Sequence, residues 1–347
     1  MSMNCPATAR TARYPAWAAL WVALLTAAPA AEAAGWAPSH PVEIVVPSGA
    51  GGGADRMARL IGEIASRHKF MAQPITVVNK ASGVGAEAYY ALKQARGDAH
   101  LLVITLSNLF TTPMTTGARF NWRELTPVVM LAGDEFVLWV NADTPYSTVN
   151  RYLDAVKAAG ANRFRMGGTG SKQEDQMLTA AIEKARGVKF IYLPFKGGGD
   201  VAAQLAAKRI DSSVNNPIEA LSFWRSGKLR PLCVLYGRQR MQYKAKVAGA
   251  LSWNDIPGCS EAGVDVDYDM VRAIFMPPAV TREQVDFYVD LFNKVKQTPE
   301  WQTYMEEGAL DPRYSMSGAP FLKWLEEAEA THRRMLGEAG LLATQPQ

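Results

Sequence analysis

The 347 residues are 48% hydrophobic and 20% charged, carry a formal net charge of +4, and include four histidines and three cysteines. This is an ordinary globular composition, long enough for two domains. The charge is small and evenly spread, with no basic run interleaved with aromatic residues, which excludes nucleic acid as an expected partner.

The chain opens on an address rather than a fold. Arg10 and Arg13 precede an alanine-rich apolar run over 16–31, and Ala31-Glu32-Ala33 has the small-x-small form of a cleavage site. The reading is a signal peptide over 1–33, cleaved near Ala33, and a periplasmic mature protein. Cys5 lies before the apolar run and is not a lipid-anchor cysteine. No later segment approaches the length of a membrane span. Cys233 and Cys259 remain after cleavage, and an oxidising compartment favours a disulfide between them.

The stretch 41–61 reads as strand, glycine loop and helix. Val42 to Val46 is a β-branched run, Pro47 ends it, and Gly49, Gly51, Gly52 and Gly53 free the backbone to turn closely. Asp55 starts a helix with an apolar stripe of Met57, Leu60, Ile61 and Ile64. The first N–H groups of such a helix form an anion site.

Three more glycine-rich loops follow apolar runs: 79–86 after a strand at 75–78, 167–171 after 164–166, and 196–200 after 190–193. Helical patterns come next at 87–94, 173–184 and 201–208. Between them 101–105 reads as a strand leading to the polar pair Ser107 and Asn108, 136–140 as a strand, and 148–158 as a helix capped by Thr148. Beyond the fourth loop come a polar strand end at 211–217, a helix at 218–224, strands at 232–236 and 269–276, a helix at 283–296 capped by Thr281, and an amphipathic helix at 321–336 with Phe321, Trp324, Leu325, Ala328 and Met335 inward. The alternation predicts an α/β fold with mostly parallel sheets. Four such loops at strand ends suggest one shared cleft.

Catalytic signals are thin. Gly49-Ala50-Gly51-Gly52-Gly53-Ala54 fits a dinucleotide fingerprint, but Asn79-Lys80 stand where an acid would hold the ribose. Lys80 leaves an NADP-type site open as a lesser alternative. No Gly-Lys-Ser/Thr follows the glycines, no G-x-S-x-G is present, and no two histidines have metal-ligand spacing. No catalytic residue, metal or cofactor is expected. Asp55 and Asp200 are read as groups that satisfy N–H donors of their own loops.

Val46-Pro47, Gly51-Gly52-Gly53 with Asp55, Asn79-Lys80, Gly168-Thr169-Gly170-Ser171, Pro194-Phe195-Lys196-Gly197 with Asp200, Asn216-Pro217 and Gly227-Lys228-Leu229-Arg230 follow one another in order. As a set they resemble the periplasmic solute receptors of tripartite tricarboxylate transporters, the Bug receptors, across the mature chain. The resemblance implies an α/β periplasmic binding protein of type II-like build, with two domains, 36–134 plus 234–347 and 135–233. Two crossing strands hinge near 132–135 and 234–237, and a ligand cleft lies between the domains. It implies a small organic carboxylate as ligand, delivery to a permease of a large and a small membrane subunit, and no enzymatic role. A periplasmic carboxylate sensor is the alternative use of the same fold. The expected state is a monomer.

The residues expected at the ligand are Ser48, Ala50, Gly51 and Gly52 from the first domain, Thr169, Gly170 and Ser171 from the second, and Ser107, Asn108 and Asn215 on the far side. Asp55 holds the first loop in shape, and Lys196 and Lys172 are the candidate cations. Ser48, Ala50 and Asn215 depart from common family residues, Asn215 replacing an aspartate. That reads as a less negative pocket suited to a di- or tricarboxylate such as citrate.

Overall fold

Val42–Val46 forms β1, and its run of valine and isoleucine sits at the centre of a sheet because both its faces are covered. In chain order there follow α1 (Gly53–Arg67), β2 (Ile75–Asn79), α2 (Ala86–Gln94), β3 (Leu101–Ile104), α3 (Asn108–Thr116) and β4 (Thr126–Asp134). Next come β5 (Val137–Asn141), α4 (Val149–Ala159), β6 (Phe164–Thr169), α5 (Glu174–Arg186), β7 (Phe190–Phe195), α6 (Gly198–Ala206), β8 (Ser212–Asn215), α7 (Pro217–Arg225) and β9 (Leu229–Val234). The chain ends in β10 (Met270–Met276), α8 (Arg282–Lys296), α9 (Pro299–Glu307), β11 (Met316–Ser317) and α10 (Gly318–Glu338). This computed structural model describes residues 1–4, 6, 8, 35–236, 240–266 and 268–343. The expected signal peptide over 1–33, Cys5, and the hinge position at 237 lie wholly or largely outside the described residues.

From Trp36 onward the chain is one compact unit built on two sheets. The first has strand order β11-β4-β10-β3-β1-β2, the second β7-β6-β8-β5-β9. The chain passes from the first sheet to the second between Asp134 and Val137, and leaves the second after Val234. Each sheet with its covering helices is called a half below.

The sheets are mixed, not mostly parallel. Pairings of β1 with β2 and β3, and of β6 with β7 and β8, are parallel. Those of β10 with β3 and β4, of β11 with β4, and of β5 with β8 and β9 are antiparallel. A strand buried on both faces reads as the same apolar run in either direction, so sequence periodicity carries no sign of this. β4, α3 and α9 also went unexpected. α3 is threonine-rich and holds Pro113, a composition that disguises a helix.

Local signals elsewhere are read correctly. Thr148 and Thr281 cap α4 and α8 by accepting from the N–H groups of Arg151 and Gln284. In α1, Met57, Ile61 and Ile64 are buried while Leu60 is only half-buried. In α10, Phe321, Leu325 and Ala328 are buried, Trp324 and Met335 half-buried, and His332 joins the inward face unexpectedly.

Cys233 on β9 and Cys259 are disulfide-bonded, with an S–S distance of 2.00 Å across 26 residues of sequence. The bond ties the last strand of the second half to the segment that leads back to the first. Closing a loop of that size stabilises a fold by about 3 kcal/mol through the unfolded chain. The double variant Cys233→Ala with Cys259→Ala is expected to lose that much in equilibrium denaturation; an unchanged midpoint contradicts the assignment.

Candidate functional site

The turn from β1 into α1 is held by side chains that follow it. Gly51 adopts φ +80°, a conformation that favours glycine. Its N–H donates to Asp55 Oδ2 at 2.9 Å. Asp55 Oδ1 accepts from Arg59 Nη2 at 2.9 Å and from Asn79 Nδ2 at 3.0 Å, while Asn79 Nδ2 also reaches the Ser48 carbonyl at 3.0 Å. Burial alone would raise the Asp55 carboxyl, but the bonds from Arg59, Gly51 and Asn79 hold it below the usual range. Asp55 therefore shapes the loop as expected. In doing so it commits the Gly51 N–H, which is then unavailable to an anion. The N–H groups of Ala50 and Gly52 have no protein partner among the described residues.

Behind this loop stands the start of α3. Asn108 Nδ2 donates to the Pro47 carbonyl at 2.9 Å, and its Oδ1 accepts from Tyr89 Oη at 2.6 Å. A Cβ on Gly85 would lie 2.2 Å from Asn108 Nδ2, so the glycine is what lets α2 approach. Both polar ends of Asn108 are thus engaged within the protein. Ser107 pairs with Tyr268 Oη, which in turn lies 2.8 Å from His332 Nε2. His332 Nδ1 lies 2.7 Å from the Ala328 carbonyl, which assigns the proton to Nδ1 and makes Nε2 the acceptor from Tyr268.

The second half presents its own loops. Asp175 Oδ2 accepts from the Thr169 N–H at 2.6 Å. Gly170 donates to the Phe195 carbonyl at 2.9 Å and accepts from Tyr192 Oη at 3.0 Å. Asn215 Nδ2 donates to the Gly198 carbonyl and to Glu219 Oε2, both at 2.9 Å.

Glu219, absent from the sequence-based expectation, joins the halves. Its Oε1 accepts from the Gly53 N–H at 2.9 Å, in the first turn of α1, and its Oε2 accepts from Asn215 and from the Asn216 N–H at 3.1 Å. The protein's own carboxylate therefore occupies an N–H of the helix start that the glycine loop was expected to offer a ligand. Further bonds cross the same seam: Gly49 N–H to the Lys196 carbonyl at 2.9 Å, Gln173 Nε2 to the Val84 carbonyl at 3.2 Å, and Arg272 Nη2 to Asn216 Oδ1 at 3.2 Å. A Cβ on Gly199 would lie 2.9 Å from the Gly51 carbonyl, so bare backbone meets bare backbone.

The seam is charged and buried. Arg272 on β10 is fully buried and pairs with buried Asp134 at 2.5 Å. Burial raises the Asp134 carboxyl to about 6 even with Arg272 beside it. Burial opposes the charge on Arg272, yet Asp134 and Glu219 hold its pKa above the ordinary value. Glu174 and Asp175 at the start of α5 are also buried, and burial pushes both upward. Ser48 Oγ, Asp134 Oδ1, Glu174 Oε2, Asn215 Oδ1 and Arg272 Nη1 are buried with no hydrogen-bond partner among the described residues.

The expected residues therefore divide. Ser48, Gly52, Ser107, Asn108, Thr169 and Asn215 are buried about the seam. Ala50, Ser171, Lys172 and Lys196 are exposed, as is Asp200, so the inward cation is Arg272 and not either lysine. Glu219 places a buried carboxyl group beside Asn215, the position read as a departure from aspartate. Arg272 was detectable as the lone charge in Met270–Met276, an otherwise apolar strand. Glu219 lay hidden in a capping box with Asn216.

The sequence model of the family described as tripartite tricarboxylate transporter family receptor matches residues 57–341. The chain belongs to this receptor family. A curated relative from Cupriavidus necator, the UPF0065 protein in gbd 5'region, is 25% identical over 324 residues, 92% of this chain and 94% of the relative. Among solved structures, the periplasmic binding protein BugD superposes with a TM-score of 0.77 at 18% identity, covering 88% of this chain and 100% of that one. Rpa4515 of R. palustris with adipate gives 0.78 at 20% identity, covering 88% and 99%. MatC (Rpa3494) of Rhodopseudomonas palustris with bound malate gives 0.75 at 19% identity, covering 86% and 99%. These likenesses establish the fold of the receptor.

A Cβ on Gly198 would fall 2.0 Å from Glu219 Oε2. Gly198→Ala is therefore expected to displace Glu219 from Gly53 and to cost about 1–3 kcal/mol in chemical denaturation; full stability would show that the contact is slack. Burial holds His332 down at about 4, below its ordinary value near 6.5. The unfolded chain then binds the proton more readily, so this contribution is complete above pH 6.5 and lost as pH falls towards 4. The shift corresponds to about 3 kcal/mol. The stability difference between the receptor and His332→Gln is expected to shrink by that order between pH 7 and 4; a pH-independent difference contradicts it.

Proposed function

We propose that this receptor works in the periplasm, after cleavage near Ala33, capturing a small organic acid between two domains and delivering it to the large and small permease subunits of a tripartite tricarboxylate transporter. The domains are 36–134 plus 234–347 and 135–233, hinged where the chain passes between the two sheets. The observation that carries this reading is the seam. Glycine-rich helix starts from both halves meet there, and several buried polar atoms have no partner among the described residues. Such an arrangement is costly to bury unless something else completes it.

The family supports the receptor role, and two of the similar solved structures hold adipate and malate. Glu219, whose two oxygens both accept hydrogen bonds, repels a fully ionised tricarboxylate such as citrate, so an acid with one or two carboxylates fits this seam better. Ser48, the N–H groups of Ala50 and Gly52, and Arg272 are the groups offered to a carboxylate. The receptor acts as a monomer, closing by a hinge motion.

Isothermal titration calorimetry of the mature chain against mono-, di- and tricarboxylates is expected to give saturable binding to a subset of the first two, with a smaller radius of gyration in small-angle scattering on saturation. An absence of binding across the panel would overturn the receptor reading, and binding without compaction would overturn the closure.

A further inference from the structure

The carboxyl groups of Asp134, Glu135, Asp269 and Asp311 gather where the chain crosses between the halves. Glu135 stands on the first crossing, is 2% exposed, and its Oε2 has no hydrogen-bond partner among the described residues. β10 pairs with β4 with Met270 opposite Asp134, so the next position along each strand sets Asp269 opposite Glu135. Gly133 and Glu135 project to the same face of β4. Tyr314 lies on that face: a Cβ on Gly133 would fall 2.6 Å from its ring, and its Oη donates to Asp269 Oδ2 at 2.5 Å. Asp311 flanks the other edge of β4, where it exchanges backbone bonds with Gly133 at 3.1 and 2.9 Å. Its Oδ2 accepts from Tyr236, on the return crossing, at 3.0 Å. The cluster thus touches both crossings.

The cations around it are committed. Arg272 pairs with Asp134 and Arg313 with Asp311, each at 2.5 Å, and Lys296 donates to Ser315 Oγ at 2.8 Å. Tyr243 bonds the Leu310 carbonyl. Burial first, and the surrounding carboxyls after it, raises the Tyr243 and Tyr314 hydroxyls, so both stay protonated. Glu135 therefore faces other carboxyls without a cation of its own. Burial, then Asp269, Asp311 and Asp134, raises its carboxyl well above the ordinary value. Protonated, Glu135 can donate to Asp269; ionised, it sets like charges against one another in a poorly solvated place.

We propose that Glu135 is a proton-operated latch at the hinge: neutral, it bonds Asp269 and holds the crossing segments together, and ionised it drives them apart so that the halves open. The inference rests on the closure in the receptor reading above and adds to it a dependence on pH. A carboxyl whose pKa is raised in the closed form takes up a proton on closing, so the closed arrangement is favoured by acid and loses that support as pH rises.

The test needs no ligand. Small-angle scattering of the mature chain from about pH 5 to about pH 9 is expected to show a radius of gyration that grows reversibly as pH rises. Glu135→Gln, which keeps a donor and cannot ionise, is expected to hold its low-pH radius throughout. In urea denaturation over the same range, the folding equilibrium of the natural chain is expected to fall about tenfold per pH unit relative to that of the variant, the signature of one proton. A natural-chain radius that does not change with pH would overturn the latch whatever the variant does, as would equal growth in Glu135→Gln or parallel denaturation profiles. Each of these results leaves the receptor reading intact, because that reading stands on calorimetry with acids.

Discussion

A carboxylate supplied by the protein itself sets the geometry of this molecule. Glu219 lies 2.9 Å from the Gly53 N–H of the first half while its other oxygen gathers Asn215 and Asn216 of the second. For this to occur, no side chain can stand between them, and Gly198 and Gly53 supply the gap: a Cβ on the first would strike Glu219 and one on the second would lie 2.5 Å from Arg272 Nη2. The glycines of both helix starts are thus required for close approach, and the closed arrangement follows from that approach.

Burying so much charge at a joint between two halves is a poor way to gain stability, because desolvation offsets most of the attraction. It is a good way to make closure conditional. Arg272 with Asn216, and Glu219 with Gly53, join the two halves, whereas Arg272 with Asp134 lies within the first. In the proposed opening, the groups that cross the seam would meet water, and a ligand that completes the unpartnered atoms would favour the closed arrangement by its differential affinity for it. The Ser107–Tyr268–His332 chain and the Asn108–Pro47 bond lie wholly within the first half.

Much of this was legible in the chain. Glycine loops after apolar strands located the joint, the order of short motifs indicated the receptor family, and Asp55 was correctly read as a loop brace because an acid four residues past Gly51 sits over its N–H. What sequence alone did not supply were partners distant along the chain. Glu219 reaches Gly53 across 166 positions, and Arg272 reaches Asp134 across 138. Local periodicity cannot see either contact, so the sequence offers Lys172 and Lys196 as candidate cations, and the structure places both at the surface. Strand direction was missed for a related reason: β10 inserts beside β3 from far downstream, and its apolar run carries no sign of orientation.

The most direct test of conditional closure is hydrogen–deuterium exchange of the mature chain, with and without a saturating bound acid. The account predicts slowed exchange at 47–55, 196–200 and 215–219 together, with little change in the sheet cores. Protection confined to one half, or unchanged at these three segments, would contradict the claim that the glycine loops and Glu219 form the closing contact.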